Sequence, residues 1–195
     1  MKSFGISPIY LPMFIQTETT PNPATLKFLP GKPVMERGVR EMKTTEESLA
    51  SPLAQRLFEL DGVTGVFFGS DFISVTKSPD REWAAMKMPV MAAIMDHYMS
   101  GLPLIRDGHD DTQESGAPDD EITTQIKELL DTRVRPMVAM DGGDIVFDRF
   151  DQGIVYLHMR GACSGCPSST ATLKSGIENM LRHYIPEVLE VRAAA

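Results

Sequence analysis

The stretch Arg160-Gly161-Ala162-Cys163-Ser164-Gly165-Cys166-Pro167-Ser168-Ser169-Thr170 holds both cysteines of the 195-residue chain. A strand-like run, residues 154–159, leads into it, and a helix-like run, residues 168–184, leads out. The pair therefore occupies a turn between a strand and a helix. Gly161 and Gly165 let the backbone approach the sulfurs without side-chain obstruction. Unpaired N–H groups and the positive end of the helix dipole point towards such a turn. That predicts thiols titrating below the ordinary value of about 8.5. Two soft ligands so placed suit a metal centre or a redox dithiol, both of which work through thiolate.

The surrounding residues 119–195 read as one unit. Ile122, Ile126, Leu129 and Leu130 recur at helical spacing from residue 120 to 132, and Arg135-Pro136 disturbs the helix before it resumes or ends near Met140. Asp141-Gly142-Gly143-Asp144 is a stop signal, with Gly142 or Gly143 able to take a left-handed cap. Residues 145–150 and 154–159 flank Asp151-Gln152-Gly153 as a hairpin. Leu173, Ile177 and Leu181 share one face of the helix after the cysteines; Pro186 ends it, and residues 187–191 make a last strand. The order is α-β-β-α-β.

Residues 13–100 form a second unit. A strand over 13–19 is stopped by Thr20-Pro21-Asn22-Pro23, and residues 25–29 alternate with period two. Residues 34–45 read as loop with a short strand. Ser51 can cap a helix over 51–60 with Pro52 at its first position, placing Leu53, Leu57 and Leu60 on one stripe. Residues 63–68 and 72–75 make a hairpin signal. Residues 80–100 are helical with a boundary near Pro89 and carry Met86, Met88, Met91, Met95 and Met99. Met88, Met91 and Met95 are spaced to face a core; the alternative is a soft, adaptable partner surface. Residues 101–118 hold four acidic residues against one basic and read as a flexible linker, His109 included as solvated chemistry. The fold class is α+β: two small α/β-sandwich-type domains, 13–100 and 119–195, joined by the acidic linker 101–118.

Composition excludes some functions. A net charge of -8 argues against nucleic-acid binding, which needs a basic face. No apolar run approaches the roughly 20 residues that span a bilayer. The first twelve residues are too short and too proline-broken for a signal peptide, and they lack the Arg-rich pattern of a transit peptide. A close cysteine pair without such signals points to a reducing compartment, with the cytoplasm as default.

Four readings of the cysteine pair stand side by side. Small core residues would sit badly in a Gly/Ser/Pro loop. A thiol–disulfide oxidoreductase would want a parallel strand before the motif, whereas the strand here belongs to a hairpin. Zinc needs four ligands, so His158 or His183 would have to converge on the thiolates. An iron–sulfur cluster also wants four thiolates, which a symmetric dimer would supply at its two-fold axis. A cluster held half by each subunit and near solvent suits a carrier better than an electron-transfer protein. Asp141 and Asp144 could form an iron-entry site, but a turn with capping carboxylates is the plainer account.

Residues 119–192 resemble the C-terminal domain of NifU, the Nfu family of iron–sulfur cluster proteins. The likeness rests on Arg135-Pro136, Asp141-Gly142-Gly143-Asp144, Gly161-Ala162-Cys163-Ser164-Gly165-Cys166-Pro167-Ser168-Ser169, Thr172-Leu173-Lys174 and Pro186-Glu187-Val188. Residues 13–100 are similar to the family's N-terminal domain through Thr20-Pro21-Asn22-Pro23, Phe28, Ser51-Pro52-Leu53-Ala54, Leu57-Phe58 and Phe72-Ile73-Ser74-Val75-Thr76-Lys77. The resemblance implies a 4Fe-4S cluster, in preference to 2Fe-2S, bridged between two chains by Cys163 and Cys166 of each. It implies a homodimer formed through the cluster, an upstream assembly scaffold as donor and apo iron–sulfur proteins as recipients. It implies no enzyme turnover; that the partners include no nucleic acid and no membrane follows from charge and hydropathy instead. The N-terminal domain, without ligands of its own, would recognise partners. If the source is eukaryotic, the mitochondrial matrix replaces the cytoplasm.

Overall fold

A computed structural model describes residues 14–106, 120–164 and 167–194, with the side chains of residues 167–169 left aside. The first twelve residues, most of the expected linker, His109 and Cys166 lie outside the described residues.

The N-terminal part begins with β1 (Gln16–Thr19), β2 (Thr25–Leu29), β3 (Arg40–Met42), α1 (Thr45–Ser48) and α2 (Pro52–Phe58). β4 (Val63–Phe68), β5 (Ile73–Lys77) and α3 (Trp83–Ser100) complete it. The five strands form one antiparallel sheet in the order β1-β2-β5-β4-β3. Strand side chains alternate between faces. Leu26, Phe28, Met42, Val66, Phe68, Ile73 and Val75 pack with Leu53 and Leu57 of α2 and with Met86, Val90 and Ile94 of α3.

Several local expectations hold. Ser51 is the N-cap of α2, its fully buried hydroxyl accepting from the Ala54 N–H at 3.2 Å, with Pro52 next in line. Ser51→Ala is therefore expected to cost about 1 kcal/mol, readable as a lower urea midpoint with unchanged slope. Other expectations fail for identifiable reasons. The helix does not stop at Pro89: α3 runs through it. Pro89 and the preceding turn at Ala85 are exposed, so water can satisfy the carbonyl that the missing N–H frees. The buried stripe of α3 is Met86, Val90, Ile94 and His97, while Met88 is 69% exposed. Met91 and Met95 pack only at the margin of the core. The short helix α1, capped by Thr44, was not foreseen.

In the C-terminal part, α4 (Glu121–Leu129) starts at an Asp120 cap and leads into a π-helical turn (Leu130–Val134) and α5 (Arg135–Met140). The disturbance expected at Arg135-Pro136 is this wider turn. Pro136 cannot donate back to Thr132, and the chain accommodates the loss by widening instead of breaking. β6 (Gly143–Asp151) and β7 (Ile154–Gly161) form the expected hairpin. α6 (Pro167–Tyr184) then crosses to β8 (Glu190–Ala193), which pairs parallel to β7 and begins three residues later than expected. Ile126, Leu130, Val138, Leu157, Leu181 and Val191 anchor the second core. The fold is α+β in both parts, each sheet burying its own apolar cluster.

Candidate functional site

Two turns meet at one end of the β6–β7 hairpin. α5 ends at Met140, Gly142 takes the left-handed conformation with φ 78°, and β6 begins at Gly143. Gly143 pairs with Gly161, the last residue of β7, and the Ala162 N–H donates to the Gly142 carbonyl at 3.2 Å. Ser164 closes the cysteine turn. Its N–H and its hydroxyl donate to the Gly161 carbonyl at 3.1 and 2.9 Å. The Thr170 hydroxyl on α6 donates to the Cys163 carbonyl at 3.2 Å.

This scaffold turns the Cys163 thiol inward. The residue is 6% exposed and belongs to the second apolar core. Its Sγ lies so close to Gly143 that a Cβ there would stand 2.5 Å from the sulfur and 2.7 Å from the Arg160 carbonyl oxygen. Only glycine leaves room for the sulfur at that place. Burial pushes the Cys163 thiol up to about 12, helped by the negative charges of Asp141, Asp144 and Glu41. The expected depression is thus reversed. α6 begins four residues beyond Cys163, whereas a helix dipole acts mainly within its first turn, and three carboxylates oppose it.

Of the two predicted ligands, only Cys163 lies among the described residues. There, no three His, Cys, Asp or Glu side chains converge as a metal-binding group. His158 faces Asp148 at 3.5 Å, and His183 packs edge-on against Tyr184. The zinc reading loses its remaining ligands. The topological objection to a dithiol enzyme also falls, because β7, α6 and β8 make a parallel crossover around the motif. The buried Cys163 thiol disfavours the thiolate in this arrangement, for dithiol chemistry and for metal ligation alike.

Asp144 does not cap a turn. It is 4% exposed and is gripped by Arg135, whose Nε and Nη2 donate to Oδ1 and Oδ2 at 2.9 and 3.0 Å. Asp131 accepts a further bond from the same guanidinium at 3.1 Å. Asp141 stays exposed at the end of α5.

Residues of the N-terminal sheet reach the same two turns, and no sequence signal had assigned them there. On the face away from α2 and α3, Lys27, Ser74, Phe67 and Glu41 lie side by side across β2, β5, β4 and β3. Lys27 Nζ donates to the Met140 carbonyl at 3.2 Å, and the Ser74 hydroxyl donates to the Gly142 carbonyl at 2.7 Å. The Gly161 N–H donates to Glu41 Oε1 at 2.8 Å. Asn22 Nδ2 donates to the Ser164 carbonyl at 3.3 Å. Phe67 packs so closely that a Cβ on Gly161, itself at φ 62°, would stand 3.0 Å from its ring. Period-two alternation marks this face as opposite the helices, but only the fold shows what covers it.

Residues 15–101 match the family model described as the N-terminal domain of scaffold protein Nfu/NifU, and residues 126–192 match the NifU-like domain. The chain is 55% identical over 181 residues to NifU-like protein 4, mitochondrial, of Arabidopsis thaliana, with 90% of this chain and 64% of that protein covered. It is 51% identical over 177 residues to the human mitochondrial NFU1 iron-sulfur cluster scaffold homolog, covering 90% of this chain and 70% of that one. A solution structure of a NifU-like protein from Saccharomyces cerevisiae aligns with 25% identity and a TM-score of 0.47, over 55% of this chain and 96% of that one. The chain thus spans just under two thirds of the length of the first of these relatives.

Proposed function

The chain belongs to the Nfu/NifU scaffold family, and from that premise we propose that it binds an iron–sulfur cluster as cargo and hands it to apo-proteins. The relatives' names carry the scaffold role. The observation that carries the finer reading is the ligand count: two thiols on one loop and no metal-binding group of other side chains among the described residues. Half of a four-thiolate site is complete only when a second chain supplies the other half. The ligand count supports a cluster bridging two chains through Cys163 and Cys166 of each, and the family resemblance favours 4Fe-4S over 2Fe-2S for it. An upstream scaffold supplies it, apo iron–sulfur proteins accept it, and the protein itself turns over no substrate.

A labile, shared cluster needs a reducing compartment: the mitochondrial matrix in a eukaryotic source, in line with relatives named as mitochondrial, or the cytoplasm otherwise. Among the described residues no helix is long and apolar enough to cross a membrane.

Anaerobic addition of ferrous iron and sulfide is expected to give a brown dimer with about two iron atoms per chain, half of a four-iron cluster. Mössbauer spectroscopy and solution mass, taken together, read cluster type and stoichiometry. A colourless monomer that reduces insulin disulfides would overturn the proposal in favour of a dithiol enzyme.

A further inference from the structure

The cysteine turn is held from outside its own domain. The row Lys27, Ser74, Phe67 and Glu41, extended by Asn22, binds main-chain groups of Met140, Gly142, Gly161 and Ser164. These are the two turns that shape the sulfur's surroundings. Antiparallel sheets packed by helices on one face commonly leave the other to water. Here Lys27 is 7%, Ser74 1% and Phe67 2% exposed, because the hairpin end of the other domain covers them.

We propose that this row is a latch: the N-terminal sheet keeps the cysteine loop closed with its thiol inward, and it must lift before two chains can share a cluster. The inference rests on the cargo reading above and adds to it a closed state of the single chain. Three features support it. Cys163 as placed cannot reach a cluster shared with another chain, since its sulfur lies in its own core against Gly143. Glu41 sets a carboxylate at the loop, and Ser164 Oγ lies 3.4 Å from the same oxygen that the Gly161 N–H binds. A negative charge there opposes a thiolate-bound cluster. Finally, the contact is polar and incompletely filled. A cavity of about 290 Å³ opens between the domains, lined by Asn22, Glu41, Lys43, Thr64, Phe67 and Ser164. Polar contacts between domains separate more readily than apolar ones.

The latch is tested on the full-length apo-protein with Glu41→Ala. Losing a hydrogen bond to a charged acceptor is expected to speed iodoacetamide labelling of Cys163 by about tenfold, with peptide mass spectrometry separating it from Cys166. Hydrogen exchange at the Gly161 amide should quicken likewise, while the amides of β4 and β5 keep wild-type protection. Glu41→Ala also removes a charge beside the thiol and the acceptor of the Gly161 N–H, so Ser74→Ala is the deciding variant: it keeps both, removes only the bond to Gly142, and should still speed both readouts several-fold. Unchanged Cys163 labelling and unchanged Gly161 exchange in Ser74→Ala would overturn the latch. Neither readout needs iron, so the latch and the cargo proposal can fail separately.

Discussion

Alanine at either Cys163 or Cys166 is expected to abolish cluster binding, taking reconstituted iron from about two atoms per chain to none. In the proposed shared site each chain would bring two thiolates, so one substitution would remove two of four ligands from the dimer. No other cysteine exists in the sequence to replace them. The loss should be read against an intact fold. Cys163 fills a small place in the second core, so its truncation is expected to cost on the order of 1 kcal/mol, far too little to unfold the domain. Far-UV circular dichroism and the thermal midpoint should stay near wild type while the brown colour vanishes. Full cluster loading in either variant would refute the bridged geometry. Mixing the two single variants is the sharper form of the test: every dimer in such a mixture still has only two thiolates, so complementation is not expected.

The legible part of this fold was the part written in local pattern. The alternation at residues 25–29 became β2 without a residue's error, and Ser51-Pro52 marked the start of α2 because a cap and a fixed φ act within one turn. The Asp151-Gln152-Gly153 turn likewise specified the β6–β7 hairpin. Pro89 misled, and Pro136 announced a disturbance without its form, because a proline's effect depends on whether water or a widened turn can take up the freed carbonyl. Neither outcome is visible in the residue itself. The parallel pairing of β8 with β7 also had no local signature, since it depends on where α6 returns the chain.

The site was legible in its residue types and illegible in its environment. The C-x-x-C loop named Cys163, but the expected thiolate came from considering the helix alone. Burial reverses that expectation, helped by Asp141, Asp144 and Glu41, the last of them 122 positions before Cys163 in sequence. Period two in β2 to β5 said that Lys27, Ser74, Phe67 and Glu41 share a face. It could not say that the face would meet main-chain groups of another domain. Long-range polar contacts of this sort leave no periodic trace.

Arg135→Met is expected to be the most damaging substitution away from the cysteines. Arg135 gives two parallel hydrogen bonds to a carboxylate whose side chain is only 5% exposed, the fork geometry that arginine makes and lysine does not. Removing the guanidinium leaves Asp144 buried without its cation. Breaking a buried pair costs about 3–5 kcal/mol, and the lower end applies because the Arg135 side chain is itself 37% exposed. About 3 kcal/mol in a domain of this size lowers its thermal midpoint by more than 10 °C. The damage is also placed where it matters. Asp144 follows Gly143 on β6, so a shift of its carboxylate towards water pulls at the Gly143–Gly161 pair that cradles Cys163. Cluster loading should therefore fall together with the midpoint. The double variant Arg135→Met with Asp144→Asn separates charge from shape, because it removes the unpaired charge while keeping the side chain's volume. It is expected to recover most of the lost stability. A single Arg135→Met variant within about 0.5 kcal/mol of wild type, the range of ordinary surface changes, would show that Asp144 finds another partner and that the ion pair does not hold the turn.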